Sequence, residues 1–207
     1  ELSFLLREHF RTGDPHARLM VLATLRGMAL GGMRDHVGGG FHRYSVDGSW
    51  RVPHFEKMLY DQAQLVMALL EAAQVSGDPF FAQVAEDTLR YVARDLTSPD
   101  GGFYSAEDAD SVPQALAGTP GAKALEGAYY TWTHDEVAET LGPDARLWSL
   151  RFGVRPGGNA PFDPQGEFGS ANLLYTARTI AAVAEETGVA AADVGLALAR
   201  GRQRLFV

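Results

Sequence analysis

Cysteine is absent from the 207 residues. That excludes disulfides, thiolate metal sites and a cysteine nucleophile within this segment, and it fits a cytoplasmic setting. No apolar run approaches the roughly 20 residues a membrane helix needs, so no membrane partner is expected. Basic residues are outnumbered 26 to 18, giving a net charge of −8. A phosphate-binding face needs the opposite balance, so a nucleic-acid partner is not expected either. The chain also lacks an initiator methionine and a signal-type apolar core, beginning instead at Glu1 in a helix-like stretch. Further sequence upstream is therefore expected. Lysine is nearly missing: Lys57 and Lys123 are the only two beside 16 arginines. A lysine retained against such a habit can mark a place that needs a compact ammonium rather than a planar fork. The arginines cluster once, at Arg200, Arg202 and Arg204, which reads as the solvated last turn of a helix.

What is present is an ordinary globular composition, 46% hydrophobic and 21% charged, and the length suits one sizeable domain. Asp14-Pro15 reads as an N-cap followed by proline at the first helical position, opening a helix that stops at Gly31-Gly32. Asp78-Pro79 repeats that start further along the chain. Its helix carries Phe81, Val84, Ala85, Thr88, Leu89, Val92 and Leu96 on one face and Gln83, Glu86, Asp87, Arg90 and Arg94 on the other. Between them Pro53 is expected to open a third helix running to Gln74. Beyond Asp61 it is apolar nearly all round, including Met67 and Leu70, as in a buried helix. Further on, Tyr129–Trp132 reads as a strand ahead of a helix starting at Thr133. Residues 153–170 read as a loop, and helices are expected near 176–187 and 191–206.

Glycine repeats with the same rhythm. Gly39-Gly40-Phe41 recurs as Gly101-Gly102-Phe103, at nearly the offset that separates the two Asp-Pro starts. Pro143 stands as far beyond Pro79 as Pro79 stands beyond Pro15, a weaker third match. Two markers with nearly one offset imply a structural unit of about 60 residues in which inner and outer helices alternate. The fold expected is mostly α, an incomplete (α/α)6 six-hairpin toroid with short β-hairpins in its loops. Residues 1–207 would form a partial toroid domain, since about 60 residues per hairpin fills little more than half of such a ring.

Chemistry-bearing residues gather in two stretches. The first runs from Asp35 to Asp61 and holds three of the six histidines, His36, His42 and His54, together with Arg43, Tyr44, Glu56, Lys57 and Tyr60. The second, Gly101–Ser111, holds Tyr104, Glu107, Asp108 and Asp110. Ten of the 21 aromatic residues fall within 38–60 and 101–132. Aromatic, acidic and histidine-rich loops suit flat polyhydroxylated ligands, which stack on rings while their hydroxyls bond charged groups. The competing reading is an ion network that only holds loops in place. No motif calls for a cofactor. Gly38-Gly39-Gly40 lacks the Gly-Lys-Ser/Thr of a phosphate loop, and the carboxylates lack EF-hand spacing. The histidines lack a His-Glu-x-x-His pattern, so no metal is expected.

DHVGGGFHRYSVDGSWRVPHFEKMLYDQAQL resembles the signature segment of the YyaL-like, thioredoxin-domain-containing family, which includes a spermatogenesis-associated protein of animals. GGFYSAEDADS and EGAYYTWTHDEV resemble its next two segments. The resemblance implies a thioredoxin-like domain upstream and a six-hairpin toroid similar to those of N-acylglucosamine 2-epimerases and several glycosidases. It implies no firmly assigned reaction. Epimerase-type chemistry needs two acid–base groups flanking a sugar. His42 and His54 are the candidates, with Arg43 or Lys57 stabilising the oxyanion. A glycosidase would use two carboxylates from among Glu56, Asp61 and Glu107. Asp35, His36, Arg43, Tyr44, Lys57, Tyr60, Tyr104, Glu107, Asp108 and Asp110 are expected to bind a sugar-like ligand. The alternative is a non-catalytic binding or scaffold module.

Overall fold

The computed structural model describes residues 1–113, 116–161, 163, 166 and 168–206. The mostly helical expectation holds. Helices α1 (Leu2–Thr12) and α2 (Pro15–Leu30) form one antiparallel hairpin; α3 (Leu59–Ser76) and α4 (Pro79–Asp95) form the next, with α1 packed beside α3. Both Asp-Pro starts behave as read. The Asp14 side chain accepts from the His16 amide and that of Asp78 from the Phe80 amide, each satisfying a donor the helix leaves free. Val21, Leu25 and Ala29 of α2 meet Leu65 and Leu69 of α3 and Phe81 and Val84 of α4 in the larger core.

Short antiparallel pairs stitch the loops. Strands β1 (Tyr44–Ser45) and β2 (Pro53–His54) pair Tyr44 with His54. Strands β3 (Lys57–Met58) and β4 (Ala106–Glu107) pair Lys57 with Glu107. Strands β5 (Asp110–Ser111) and β6 (Leu125–Glu126) pair Asp110 with Glu126, and β7 (Trp132–Thr133) and β8 (Ala171–Asn172) pair Trp132 with Asn172. The C-terminal part is a second helical cluster: α5 (His134–Leu141), a 3-10 turn at Gly142–Asp144, α6 (Ala145–Phe152), α7 (Ile180–Thr187) and α8 (Ala191–Leu205). Thr133 and Glu136 start α5 with a capping box. Val137, Leu141, Trp148, Phe152 and Leu205 form its core. Of the expected 153–170 loop, residues 162, 164, 165 and 167 lie outside the described residues.

Four expectations are corrected. The helix expected from Pro53 begins at Leu59, because residues 53–58 are extended and pair with β1 and β4. Cross-strand pairing there outweighs the helical pattern. Helix α3 is not buried all round: Met67 and Leu70 are about half exposed. On α4 the buried stripe takes in Tyr91 instead of Leu89, which faces water. The strand expected at Tyr129–Trp132 shrinks to Trp132–Thr133, because Gly127 (φ 74°) starts a turn whose carbonyl takes the Tyr130 and Thr131 amides.

The glycine repeat is real in the backbone. Phe41 and Phe103 each make an antiparallel bridge back to the chain just after a hairpin, to Arg34 and Thr97. Gly39 and Gly101 both have φ 86°. Tyr44–Ser45 and Ala106–Glu107, at the same place in the two copies, are both strands. The side chains have diverged: Phe41 is 1% exposed and Phe103 is 61% exposed.

Candidate functional site

The extended segment 53–58 divides the chemistry in two. Successive side chains of an extended chain point to opposite faces. Phe55 and Lys57 point inward and are buried, whereas His54 and Glu56 point outward and are partly exposed.

Inward, the Lys57 side chain is only 2% exposed. Its ammonium donates to Asp35 Oδ2 at 2.8 Å and to the Gly39 carbonyl at 3.0 Å. It lies 4.4 Å from the Tyr91 ring centre and 4.8 Å from that of Tyr130, so two aromatic faces add to its stabilisation. Across the β3–β4 pair Glu107 accepts from the Tyr91 hydroxyl at 2.6 Å and from the Tyr130 hydroxyl at 2.5 Å. Burial pushes both phenols well above their ordinary range and Glu107 reinforces it, so both remain donors. Burial also opposes ionisation of Asp35, but Lys57, His42 and the Gly38 amide together hold its carboxyl below the usual range. Asp35 further accepts from the Val37 and Gly38 amides at 2.8 Å each, so one carboxylate fixes the glycine loop and the lysine. Gly40 is required there: its φ is 74°, and a Cβ would stand 2.4 Å from the Tyr91 ring.

Above this network opens a cavity of about 800 Å³. Lys57, Asp35 and Glu107 reach its wall, beside Tyr104, Tyr129, Tyr130 and Trp132. Glu136 and Glu139 of α5 and Arg204 of α8 line it as well. Of the residues expected from sequence, Asp35, Lys57, Tyr104 and Glu107 come together here. Tyr91, Tyr130, Tyr129, Trp132, Glu136, Glu139 and Arg204 were not expected as site residues. The aromatic density around 129–132 and the segment EGAYYTWTHDEV pointed towards Tyr129, Tyr130, Trp132 and Glu136, and the arginine cluster took in Arg204, whereas Tyr91 and Glu139 carried no signal of a site.

His42 lies beneath the cavity and does not line it. Its Nδ1 donates to the Phe55 carbonyl at 2.9 Å and its ring stands edge-on to Tyr130, 4.7 Å between centres. Burial, with Lys57 adding to it, lowers its pKa to about 3. His36 is also buried, donates to the Gly31 carbonyl at 2.9 Å and is pushed down to about 3 by burial and then by Arg34.

Outward, a separate surface cluster forms. His54 Nδ1 lies 2.7 Å from Glu126 Oε1, and its Nε2 lies 3.6 Å from Glu56 Oε2. Arg43 donates to the same Glu56 oxygen at 2.8 Å, and Tyr44 stacks on the His54 ring at 4.9 Å. Tyr60 lies against Arg43. Asp61 stands near Arg43 and Glu56, with one buried oxygen that has no hydrogen-bond partner among the described residues; burial raises its pKa although Arg43 opposes it. Glu126, unforeseen from sequence, also takes the Phe55 amide. Asp108 and Asp110 are exposed, the first just before β5 and accepting the Asp110 amide, the second in β5, and neither lines the cavity. His42 and His54 thus stand on opposite faces of one extended segment. Among the described residues no group of three or more His, Cys, Asp or Glu side chains is arranged to hold a metal ion. No helix among them is long and apolar enough to cross a membrane.

The arginine cluster is also corrected. Arg202 is partly buried and clamps α8 to the glycine loop, pairing with Asp87 at 2.7 Å and donating to the Val37 carbonyl at 2.7 Å. Arg200 pairs with Asp144. Asp87 takes Arg34 as well, at 2.8 Å.

The geometry is that of a mostly helical protein whose inter-helix loops build an aromatic and carboxylate-lined cavity. Over 216 aligned residues, covering 99% of the chain, it is 44% identical to spermatogenesis-associated protein 20 of Homo sapiens, and 42% identical to that of Mus musculus over the same length. It is 38% identical to the uncharacterized protein B0495.5 of Caenorhabditis elegans over 168 residues, 75% of the chain. The chain spans 27% of the length of the mammalian relatives. No protein-family model matches it.

Proposed function

We propose that this chain supplies the ligand-binding wall of a larger helical toroid and that its cavity takes a small polyhydroxylated, sugar-like molecule. The observation that carries this is the composition of one concave wall. Tyr104, Tyr129 and Trp132 offer ring faces, while Glu107, Glu136 and Arg204 offer hydrogen-bonding charges around about 800 Å³. That volume lies within the usual range for small-molecule pockets. The much greater length of the mammalian relatives supports the view that further hairpins belong to the same whole protein; that a thioredoxin-like domain belongs to it as well, and that it works in the cytoplasm, is part of the proposal.

The acid–base part of the reading moves with the geometry. An epimerase needs its two groups on either side of one substrate. His42 and His54 face opposite ways, and His42 is held neutral by burial. Glu107 is the better candidate: a carboxylate in the cavity wall, oriented by two phenols, with the ammonium of Lys57 in the same network. A non-catalytic binding or scaffold role is favoured by a specific observation. The groups around Lys57 pair with one another, as in a network that shapes a loop. Titrating the protein with a panel of neutral monosaccharides by calorimetry tests the proposal. Saturable binding abolished by Tyr129→Ala and Trp132→Ala supports it; no binding across the panel, or binding unchanged in both variants, sinks it. Turnover of a bound sugar lost in Glu107→Gln would assign catalysis, and binding without turnover assigns the scaffold role.

A further inference from the structure

Charge is unevenly satisfied around the cavity. Two pairs of the lining charges cancel locally: Asp35 with Lys57, and Asp95 with Arg94. What remains on the wall is three carboxylates, Glu107, Glu136 and Glu139, against one guanidinium, Arg204. Among the described residues Glu107 and Glu136 accept hydrogen bonds from neutral donors: the two phenols for the first, the Thr133 amide and hydroxyl for the second. Glu139 and Arg204 make no ion pair among the described residues. The excess is therefore two negative charges facing one concave space.

The rings lie where a cation gains most. Tyr104 and Tyr129 are more than half exposed and Trp132 joins them on the wall. Aromatic faces attract an ammonium, Trp and Tyr most strongly. The field at this wall has the matching sign: the Tyr129 hydroxyl is raised first by burial and then by Asp35, Glu107 and Asp95, with Arg94 opposing. The cavity floor already repeats the pattern in miniature, with the Lys57 ammonium held between a carboxylate and two tyrosine faces.

From the charge excess and the exposed rings on one wall, we infer that the ligand is cationic: a polyhydroxylated molecule bearing a protonated amino group, of the amino-sugar class. This rests on the sugar-like reading of the cavity. An acidic sugar would meet Arg204 but place its carboxylate beside three others, and a neutral one would leave the excess uncompensated.

The test compares four probes by calorimetric titration at mildly acidic pH and low salt: glucosamine, glucose, glucuronate and choline. Glucosamine is expected to bind about tenfold tighter than glucose, as partly screened charges and ring contacts allow, with glucuronate weakest. Raising the salt should shrink that ratio. In Glu136→Gln with Glu139→Gln the preference should fall to about threefold or less. Gln at position 136 can still serve the capping box, so α5 keeps its start. Glucose binding as tightly as glucosamine would overturn the cationic class while leaving the sugar-like cavity in place. Choline binding with no sugar binding would keep the cationic class and remove the sugar-like reading. A preference unmoved in the double variant, or no binding by any probe, overturns the inference.

Discussion

Replacing Lys57 by Met is the sharpest perturbation the fold offers. Met nearly matches the length of the lysine stem, so packing against Tyr91 and Tyr130 is retained while the charge is lost. Asp35 is then left buried with its two loop amides but no counter-charge. Removing one partner of a buried pair costs about 3–5 kcal/mol, because the remaining charge stays desolvated. For a chain of this size that is a fall of roughly 6–20 °C in Tm, at about 2–4 °C per kcal/mol. The pH dependence has a definite sign. In the native protein the Asp35 pKa is depressed, so its contribution is present above the ordinary aspartate range and is lost only as pH falls through the depressed value. Without Lys57, burial dominates and the pKa moves up, so the folded form takes a proton and the penalty shrinks as pH falls from 7 towards 5. Urea denaturation of both proteins at those two pH values reads the difference directly. Asp35→Asn in the Lys57→Met background should recover part of the loss, since it removes the stranded charge. A penalty below about 1 kcal/mol, or one equal at both pH values, would refute the reasoning.

Gly40→Ala should cost about 2–4 kcal/mol, the sum of a left-handed backbone strain and a clash with the Tyr91 ring, measured by chemical denaturation. Tyr130→Phe should destabilise by about 1.5–3 kcal/mol by removing a hydrogen bond to a charged carboxylate, with the Glu107→Gln double variant showing coupling. His42 and His36 have pKa values of about 3 in the fold. Stability is therefore lost as pH falls from the ordinary histidine value through that range, roughly 2 kcal/mol for each by pH 5. Proton NMR should show both rings neutral from pH 7.5 down to 5; a ring titrating near pH 6.5 would contradict its burial.

Much of the scaffold was legible because its signals are local. Asp14-Pro15 and Asp78-Pro79 start helices where they were read, and Thr133 caps α5, since a cap needs only its own helix. The glycine rhythm survives as matched bridges at Phe41 and Phe103. Lys57 stood out by rarity alone and does occupy a place that demands an ammonium between a carboxylate and two rings. What sequence could not yield was partnership across distance. Residues 53–58 carry a helical pattern, and pairing makes them extended: β1 nearby holds Pro53–His54, and β4, in the loop beyond the next helical hairpin, holds Lys57–Met58. That single change separated His54 from His42, and with it the expected acid–base pair. Glu136 and Glu139 come to the cavity from α5 and Arg204 from α8, which Arg202 holds to the glycine loop at the Val37 carbonyl and to α4 at Asp87.

The extended stretch from Pro53 to Met58 makes register a chemical variable. It presents a greasy and ammonium-bearing row to the interior and an imidazole and carboxylate row to water. Inserting one residue between Val52 and Phe55 would not merely lengthen a loop. It would turn the segment over, drawing Glu56 towards the place where Lys57 neutralises Asp35 and setting two acids face to face in the dark. The protein should thus tolerate free variation at positions 54 and 56, where each side chain answers to solvent, far better than any change in spacing.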